Sequence, residues 1–347
     1  MWFDVDKNGL AKLLERRGKS WVVFELAQNA WDESGVTQVT ITLEPVPQRS
    51  CCHLTVEDDS PMGFRDLAHA YRLFAESYKK QNPAQRGRFN LGEKLVLALC
   101  ESATISTTTG TVVFDDRGRH NHPSQKRPAG TAFEAVVKMT REEYETVCTD
   151  VHRLLPPPVV ETWFNGVLLP SRVPVVSTSG SLMTELCGSD GVLRRSKRRT
   201  RVLIHQPLPG EVASVYEMGI PVAETGDQFH VDIQQKVPLT MERDALPDAF
   251  LRDVRALVLN ATADRLTTEG ASARWVRDAL EDDTVTAMAI EQVLDRQYGT
   301  KRVSADPSDP EANALAFAHG YTVIHGGAFS ATQWEHIRAA QGERPAW

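Results

Sequence analysis

The sequence predicts an α+β chain in which helices lie on one face of a mixed β-sheet, followed by a second α/β domain and a small C-terminal α/β appendage. Three observations predict it. Apolar residues recur with a helical period through Glu33 and then alternate with a strand period from Gln38. Helical and strand patterns keep interleaving as far as Leu155. Pro156-Pro157-Pro158 then ends a helix, and Val160 to Phe164, Asn165-Gly166 and Val167 to Leu169 read as a hairpin that opens a second sheet. The first boundary therefore falls between 155 and 159, and the expected divisions are 1–155, 159–268 and 270–347.

Lys7 to Arg17 reads as an opening helix. The next helix, Val22 to Glu33, carries Glu25, Asn29 and Asp32 at i, i+4 and i+7, which sets all three on one face. Val22, Val23, Leu26, Ala27 and Ala30 supply its buried side. One amide and two carboxylates are hard oxygen donors that suit Mg²⁺ bound jointly with substrate phosphates, and a carboxylate one turn earlier can orient an attacking water. An amphipathic helix with a polar stripe has the same pattern.

After the strand Gln38 to Leu43, the strand His53 to Val56 enters the acidic turn Glu57-Asp58-Asp59-Ser60-Pro61-Met62-Gly63-Phe64. A carboxylate at a strand end can accept a hydrogen bond from an adenine amino group, and a glycine lets the backbone approach the ring. Asp59 followed by Gly63 is the expected pair, with a solvated surface turn as the plain alternative. A helix is expected around Phe64 to Glu76. Beyond it, Arg86-Gly87-Arg88-Phe89-Asn90-Leu91-Gly92-Glu93-Lys94 is a glycine-bearing loop running into the helix Leu95 to Cys100. Loop amides, a helix N-terminus and Lys94 favour phosphate. Strands Ala103 to Thr108 and Thr111 to Phe114 follow, then Gly118 to Pro128 as an exposed loop whose His120 and His122 could bind metal. Gly130-Thr131 opens the strand Ala132 to Val137, and its hydroxyl could reach a bound base. Thr140 with Glu143 three residues on is a capping box that starts a helix to Leu155.

The order and spacing of these pieces resemble the GHKL (Bergerat-fold) ATPases, which include type II topoisomerase ATPase subunits, MutL repair proteins, ninety-kilodalton heat-shock chaperones and sensor histidine kinases. The resemblance implies an ATP-binding domain over 1–155 that takes ATP and Mg²⁺. It implies Glu25 as general base, Asn29 as Mg²⁺ ligand, Asp32 as a polar contact to the nucleotide, and Asp59 as the adenine reader beside Gly63, with Thr131 nearby. Gly87, Asn90, Leu91, Gly92 and Lys94 would belong to a lid over the phosphates. Ser60-Pro61 stands where the family has a glycine, and Asn90 where the phosphate loop commonly has another. The presence of Glu25 implies hydrolysis rather than transfer to a histidine.

In gyrase, MutL and topoisomerase VI relatives such a domain is followed by a transducer that returns a lysine to the γ-phosphate. Asp232-Ile233-Gln234-Gln235-Lys236-Val237-Pro238-Leu239 is similar to that loop, which implies Lys236 as the sensor, assisted by Gln234 or Gln235. Strands at Arg201 to His205, Ser214 to Glu217 and Gln228 to Ile233, with a helix from Pro247 to Leu266, fit a transducer-like domain. Relatives dimerise through the ATP-bound domain, so an ATP-dependent homodimer is expected. From Gly270 onward the resemblance fades; helices within Trp275 to Tyr298, Glu311 to His319 and Ser330 to Ala340, with a strand at Tyr321 to Ile324, carry no legible chemistry.

The net charge of −7 argues against a surface that coats nucleic acid. One run, Arg194-Arg195-Ser196-Lys197-Arg198-Arg199-Thr200-Arg201, could meet a phosphate backbone such as DNA, or could be a solvated basic loop or hairpin. Cys51, Cys52, Cys100, Cys148 and Cys187 form no CxxC pair and leave one over, which argues against a disulfide framework or a zinc module. No stretch of eighteen apolar residues suggests a membrane span, and Met1 to Gly18 is charged rather than signal-like, so a cytoplasmic protein is expected. The expected function is Mg²⁺-dependent ATP binding and hydrolysis that drives lid closure and domain rearrangement or dimerisation, with a DNA-related process as one setting. The alternative is a nucleotide-gated module that binds an unknown protein partner with little or no turnover.

Overall fold

The computed structural model describes residues 6–15, 18–64, 66–71, 92–187, 193–239 and 246–341. The first unit runs α1 (Lys7–Glu15), α2 (Ser20–Trp31), β1 (Gln38–Pro45), β2 (Cys51–Asp58), α3 (Gly92–Leu99), β3 (Cys100–Thr107), β4 (Gly110–Asp115), β5 (Gly118–His122), β6 (Ala132–Lys138), α4 (Arg141–Val151), β7 (Glu161–Phe164) and β8 (Val167–Leu168). Its strands form one sheet in the order β5-β4-β3-β6-β2-β1-β7-β8. The β1–β7 pair is parallel and its other neighbours are antiparallel.

Alternation explains the layering. Val39, Ile41 and Leu43 of β1 and Cys52, Leu54 and Val56 of β2 turn inward to meet Val22, Val23, Leu26 and Ala27 of α2 and Val147 and Val151 of α4 in one core. The capping box forms as expected, with Thr140 Oγ1 accepting from the Glu143 amide and Glu143 accepting from the Thr140 amide.

Three expectations are corrected here. The Val160 to Leu169 hairpin does turn at Asn165 and Gly166, both at positive φ, yet it opens no second sheet. Glu161 N–H donates to Thr37, Asn165 N–H to Ile41, and Asn165 Oδ1 accepts the Leu43 amide, so β7 docks against the open edge of β1. Within Gly118 to Pro128 the first five residues are β5, paired with β4, and His120 lies 3.2 Å from Asp115. Of the helix expected from Phe64 to Glu76, the described residues contain a 3₁₀ turn at Leu67–Ala70; positions 65 and 72–76 lie outside them.

The second unit runs β9 (Val176–Cys187), β10 (Leu193–His205), β11 (Ser214–Glu217), β12 (Ile220–Glu224), β13 (His230–Ile233), α5 (Asp248–Thr262), α6 (Thr268–Ala271), α7 (Arg274–Ala279), α8 (Ala287–Tyr298), β14 (Arg302–Ser304), α9 (Pro310–Ala318), β15 (Thr322–Ile324) and α10 (Ala331–Gln341). Its sheet order is β12-β11-β13-β10-β9, and β14 and β15 form a separate parallel pair. The expected break at Gly270 is not structural, because Trp275, Ile290, Leu294, Phe329, Trp334 and Ile337 share one core with Val202, Ile204 and Val254. α9, which packs against β15, has no buried residue among the described ones and leaves Leu315 and Phe317 exposed. No helix among the described residues is long and apolar enough to cross a membrane.

The two units meet at a polar joint. Arg172 holds both oxygens of Glu211, at 2.6 and 2.5 Å, and donates to the His152 carbonyl that ends α4. Leu155 N–H donates to Gly219 in the β11–β12 turn. Behind the joint, His230 accepts the Ser214 amide at Nδ1, which leaves Nε2–H for Glu211 at 3.0 Å. His205 pairs across the ladder with His230, is buried, and has neither ring nitrogen hydrogen-bonded among the described residues. Burial, then the charges of His230 and Arg172, push His205 down to about 4, and burial lowers His230 also.

Both folded values lie below the ordinary histidine value near 6.5, so the unfolded chain takes up protons first as pH falls. Their contribution to stability is intact above pH ~6.5 and declines as pH drops toward ~4. Urea melts between pH 7 and 4.5 should show the native chain losing more stability than His205→Leu, by roughly 1–3 kcal/mol. Equal losses would show that His205 does not titrate this way.

Candidate functional site

The site begins where β2 ends. With Leu54 and Val56 facing inward, the period of two turns Asp58 inward as well and Asp59 outward. Asp58 is 6% exposed; its Oδ1 accepts the Ser60 amide at 2.9 Å, and its own N–H donates to the Thr131 carbonyl at 3.0 Å. Burial pushes its carboxyl up to about 7 against the lowering effect of the Ser60 bond.

Asp59, the expected adenine reader, is committed elsewhere. Its Oδ1 accepts the amides of Thr37 and Gln38 at 2.8 and 2.9 Å, and its Oδ2 accepts the Thr37 hydroxyl. Exposed and engaged by three donors, this carboxylate fastens the loop entering β1, and the inward acid is Asp58.

Two glycines shape the wall around Asp58. Gly130 has φ +71°, and a Cβ there would lie 1.9 Å from the Asp58 carbonyl oxygen. Its N–H donates to the Ser60 carbonyl at 2.7 Å. Gly63, at φ +55°, would place a Cβ 2.5 Å from Thr107 Oγ1. That hydroxyl accepts the Phe64 amide at 2.7 Å and lies 3.2 Å from Thr131 Oγ1. Asp58, Thr131 and Thr107 therefore form one connected polar set at adjacent strand ends, which adds Asp58, Thr107 and Gly130 to the residues expected from sequence.

The end of α2 is stitched to this turn. Ser60 Oγ donates to the Ser34 carbonyl at 3.0 Å, and Asp59 holds Thr37. Asp32 caps the C-terminus of α2 and is buried. Asn29, one turn earlier, is half-buried, and its side chain has no hydrogen-bond partner among the described residues. Glu25 is half-buried and accepts a hydrogen bond from Gln28 Nε2. Lys94 is buried in the first turn of α3, behind Gly92, and α3 packs against α1 and α2. Gly87, Asn90 and Leu91 lie outside the described residues.

Lys236 follows β13 in the second unit and is 1% exposed, so it is no solvated surface lysine. The backbone beside it is fastened within that unit: Thr184 Oγ1 donates to the Lys236 carbonyl at 2.7 Å, and Val237 N–H donates to Glu217 Oε2 at 2.8 Å. Gln235 donates to the Leu182 carbonyl, and Gln234 to Asp232 Oδ2 at 2.7 Å. Asp232 Oδ1 in turn accepts the Gly219 amide at 2.8 Å. A Cβ on Gly219 would meet the Leu155 carbonyl at 2.1 Å and the Trp31 ring at 3.6 Å, so the turn carrying it lies close against the end of α2. The sequence-expected residues thus fall into two groups, one around α2 and β2 and one around Lys236, joined through this turn.

Among the described residues no three His, Cys, Asp or Glu side chains gather as a metal cage. Asn29 offers a single hard oxygen, which fits a cation such as Mg²⁺ only where phosphate oxygens and waters complete the coordination.

Among solved structures the chain is similar to the ATPase region of Saccharomyces cerevisiae topoisomerase II, at 10% identity and a TM-score of 0.43, over 79% of this chain and 85% of that one. It is also similar to the same region bound to ICRF-187 (dexrazoxane), at 10% identity and a TM-score of 0.41, over 65% and 76%. No family model and no curated protein matches. At such values the function has to be argued from the chain's own residues.

Gly130→Ala should cost about 2–4 kcal/mol in chemical denaturation, because strain at positive φ adds to a backbone clash. Gly210→Ala carries comparable strain at φ +88° with open space around its Cβ and should cost clearly less. Equal costs would mean that the Asp58 wall yields freely.

Proposed function

We propose that the first unit binds ATP with Mg²⁺ and hydrolyses it, and that the second unit responds to the phosphate state of the nucleotide. The observation that carries this reading is the buried carboxyl of Asp58, on a residue whose N–H meets the Thr131 carbonyl and whose turn is tied through Ser60 to Ser34, just past a helix that presents Asn29 and Glu25. A buried polar acceptor beside glycine-shaped backbone is suited to an adenine amino group. In this proposal Asp58, in place of Asp59, reads the base, with Thr131 and Gly63 completing its wall.

Asn29 would hold Mg²⁺ together with the triphosphate, and the ion would supply charge neutralisation there. Glu25 would take a proton from the attacking water, its carboxylate aimed by Gln28. Asp32 would contact the nucleotide. Gly87, Asn90, Leu91, Gly92 and Lys94 would close over the phosphates, aided by the positive end of α3. Lys236 would sense the γ-phosphate, and its linkage through Gln234, Asp232 and Gly219 to the end of α2 supports a route by which the two units move together. ATP-dependent self-association is part of the same proposal. A second reading, nucleotide binding with little turnover, draws support from Ser60-Pro61 at the base wall and from the hydrogen bond that engages Glu25.

Glu25→Ala should lower Mg²⁺-dependent phosphate release by about 100-fold or more while leaving the Kd for ATP within about threefold. Tight ATP binding with no release in the native chain would favour the second reading, and no binding at all would defeat both.

Asp58→Asn should weaken ATP binding by about tenfold or more, whereas Asp59→Asn should act on stability through the Thr37 loop. A carboxylate accepts the amino hydrogen better when ionised, so native ATP affinity should rise as pH increases through about 7 and Asp58→Asn should flatten that profile. A pH-independent Kd would remove Asp58 from the base pocket.

A further inference from the structure

The basic run is not absorbed by the nucleotide site, and its setting differs from a surface loop. It is the first two-thirds of β10, paired in unbroken register with β9 from Leu193↔Cys187 to Ile204↔Val176. β13 pairs with β10 only from Val202 onward, so the basic stretch belongs to a two-stranded ribbon extending past the rest of the sheet.

Alternation sets Arg195, Lys197, Arg199 and Arg201 on one face, and the register sets Ser181, Ser179 and Ser177 of β9 opposite Arg199, Arg201 and Leu203 on that same face. All four cations and all three serines are exposed. Arg199 donates through Nε and Nη2 to Ser179 Oγ, and Arg201 through Nε to Ser177 Oγ, at 3.0–3.3 Å. Neither arginine has a carboxylate partner among the described residues. Arg195 pairs with Glu185 at 2.7 Å and Lys197 with Asp253 at 3.4 Å, yet both cations remain more than half exposed, where such pairs exchange at little cost.

We infer that this ribbon face binds the phosphodiester backbone of a nucleic acid. Four cations repeat every second residue, at steps of about 6.8 Å, along a line beside a line of hydroxyls. Neutral serines orient the guanidiniums without consuming their charge, leaving terminal nitrogens for phosphate oxygens, and the hydroxyls can donate as well. Arg194 and Arg198 add exposed charge on the opposite face, so the basic element is one ribbon wide, and on a chain of net charge −7 it suits a linear polyanion rather than a broad anionic surface; the cation–serine face offers no row of large apolar side chains to enter a lipid layer. The proposal stands apart from the nucleotide site, so either can fail without the other.

The test is fluorescence anisotropy of the full chain with a labelled single-stranded oligonucleotide and with its duplex, at salt from about 50 to 200 mM. The native chain should bind, with affinity falling linearly on logarithmic axes. Arg199→Ala/Arg201→Ala should lose about tenfold or more at the lower salt and flatten the salt slope by about 2, with ATP affinity unchanged. Arg201→Glu alone should weaken binding more than Arg201→Ala. Absence of native binding at about 50 mM salt, an unchanged slope in the double variant, or preferential binding to vesicles containing phosphatidylserine would overturn the inference.

Discussion

The site depends on a division of labour imposed by backbone geometry at the end of β2. Successive residues of a strand face opposite ways, so two adjacent aspartates meet opposite environments. Asp59 finds three donors on Thr37 and Gln38 and stays a charged clamp in solvent. Asp58 enters the protein, where loss of hydration makes ionisation costly and leaves a carboxyl poised near neutrality. The clamp holds the loop after α2 beside the turn that follows β2, and this keeps the poised acid near the helix that carries Asn29. Removing either acid would disturb a different half of one arrangement.

The joint between the units uses the opposite strategy. Glu211 is held ionised at about 2: its burial would raise it, but hydrogen bonds from Arg172 and His230 prevail. A bidentate pair fixes direction as well as distance. Gly219 adds a contact too close for any side chain, since its backbone lies against Leu155 and near Trp31. Asp232 connects this turn to the strand leading into the Lys236 loop.

Periodicity made much of this legible. α2, with Glu25, Asn29 and Asp32, follows from a 3.6-residue pattern, and the capping box at Thr140 follows from two residues three apart. The hairpin at Asn165-Gly166 was equally plain, yet its partner was not, because local turn chemistry says nothing about which distant edge accepts the strand. The inward setting of Asp58 was within reach of the sequence: counting inward from Leu54 and Val56 turns it to the core, whereas motif position alone favours its neighbour. Thr107 could not be found this way, since its role comes from strand ends 24 residues apart meeting across β3 and β6. The expected break at Gly270 rests on where the resemblance fades, while the aromatic side chains that tie the C-terminal residues to α5 give no periodic signal of their own.

The parallel β1–β7 pair sets an order of events for the newborn chain. Leu43 meets Asn165 across 122 residues, so the edge of β1 has no neighbour on that side until the hairpin has been made. At ordinary synthesis rates that interval is on the order of ten seconds, long compared with the formation of α2 or the β1–β2 ladder. For that time the emerging protein carries an unpaired strand edge one strand away from Asp58, and this is the period in which a chaperone would have something to hold.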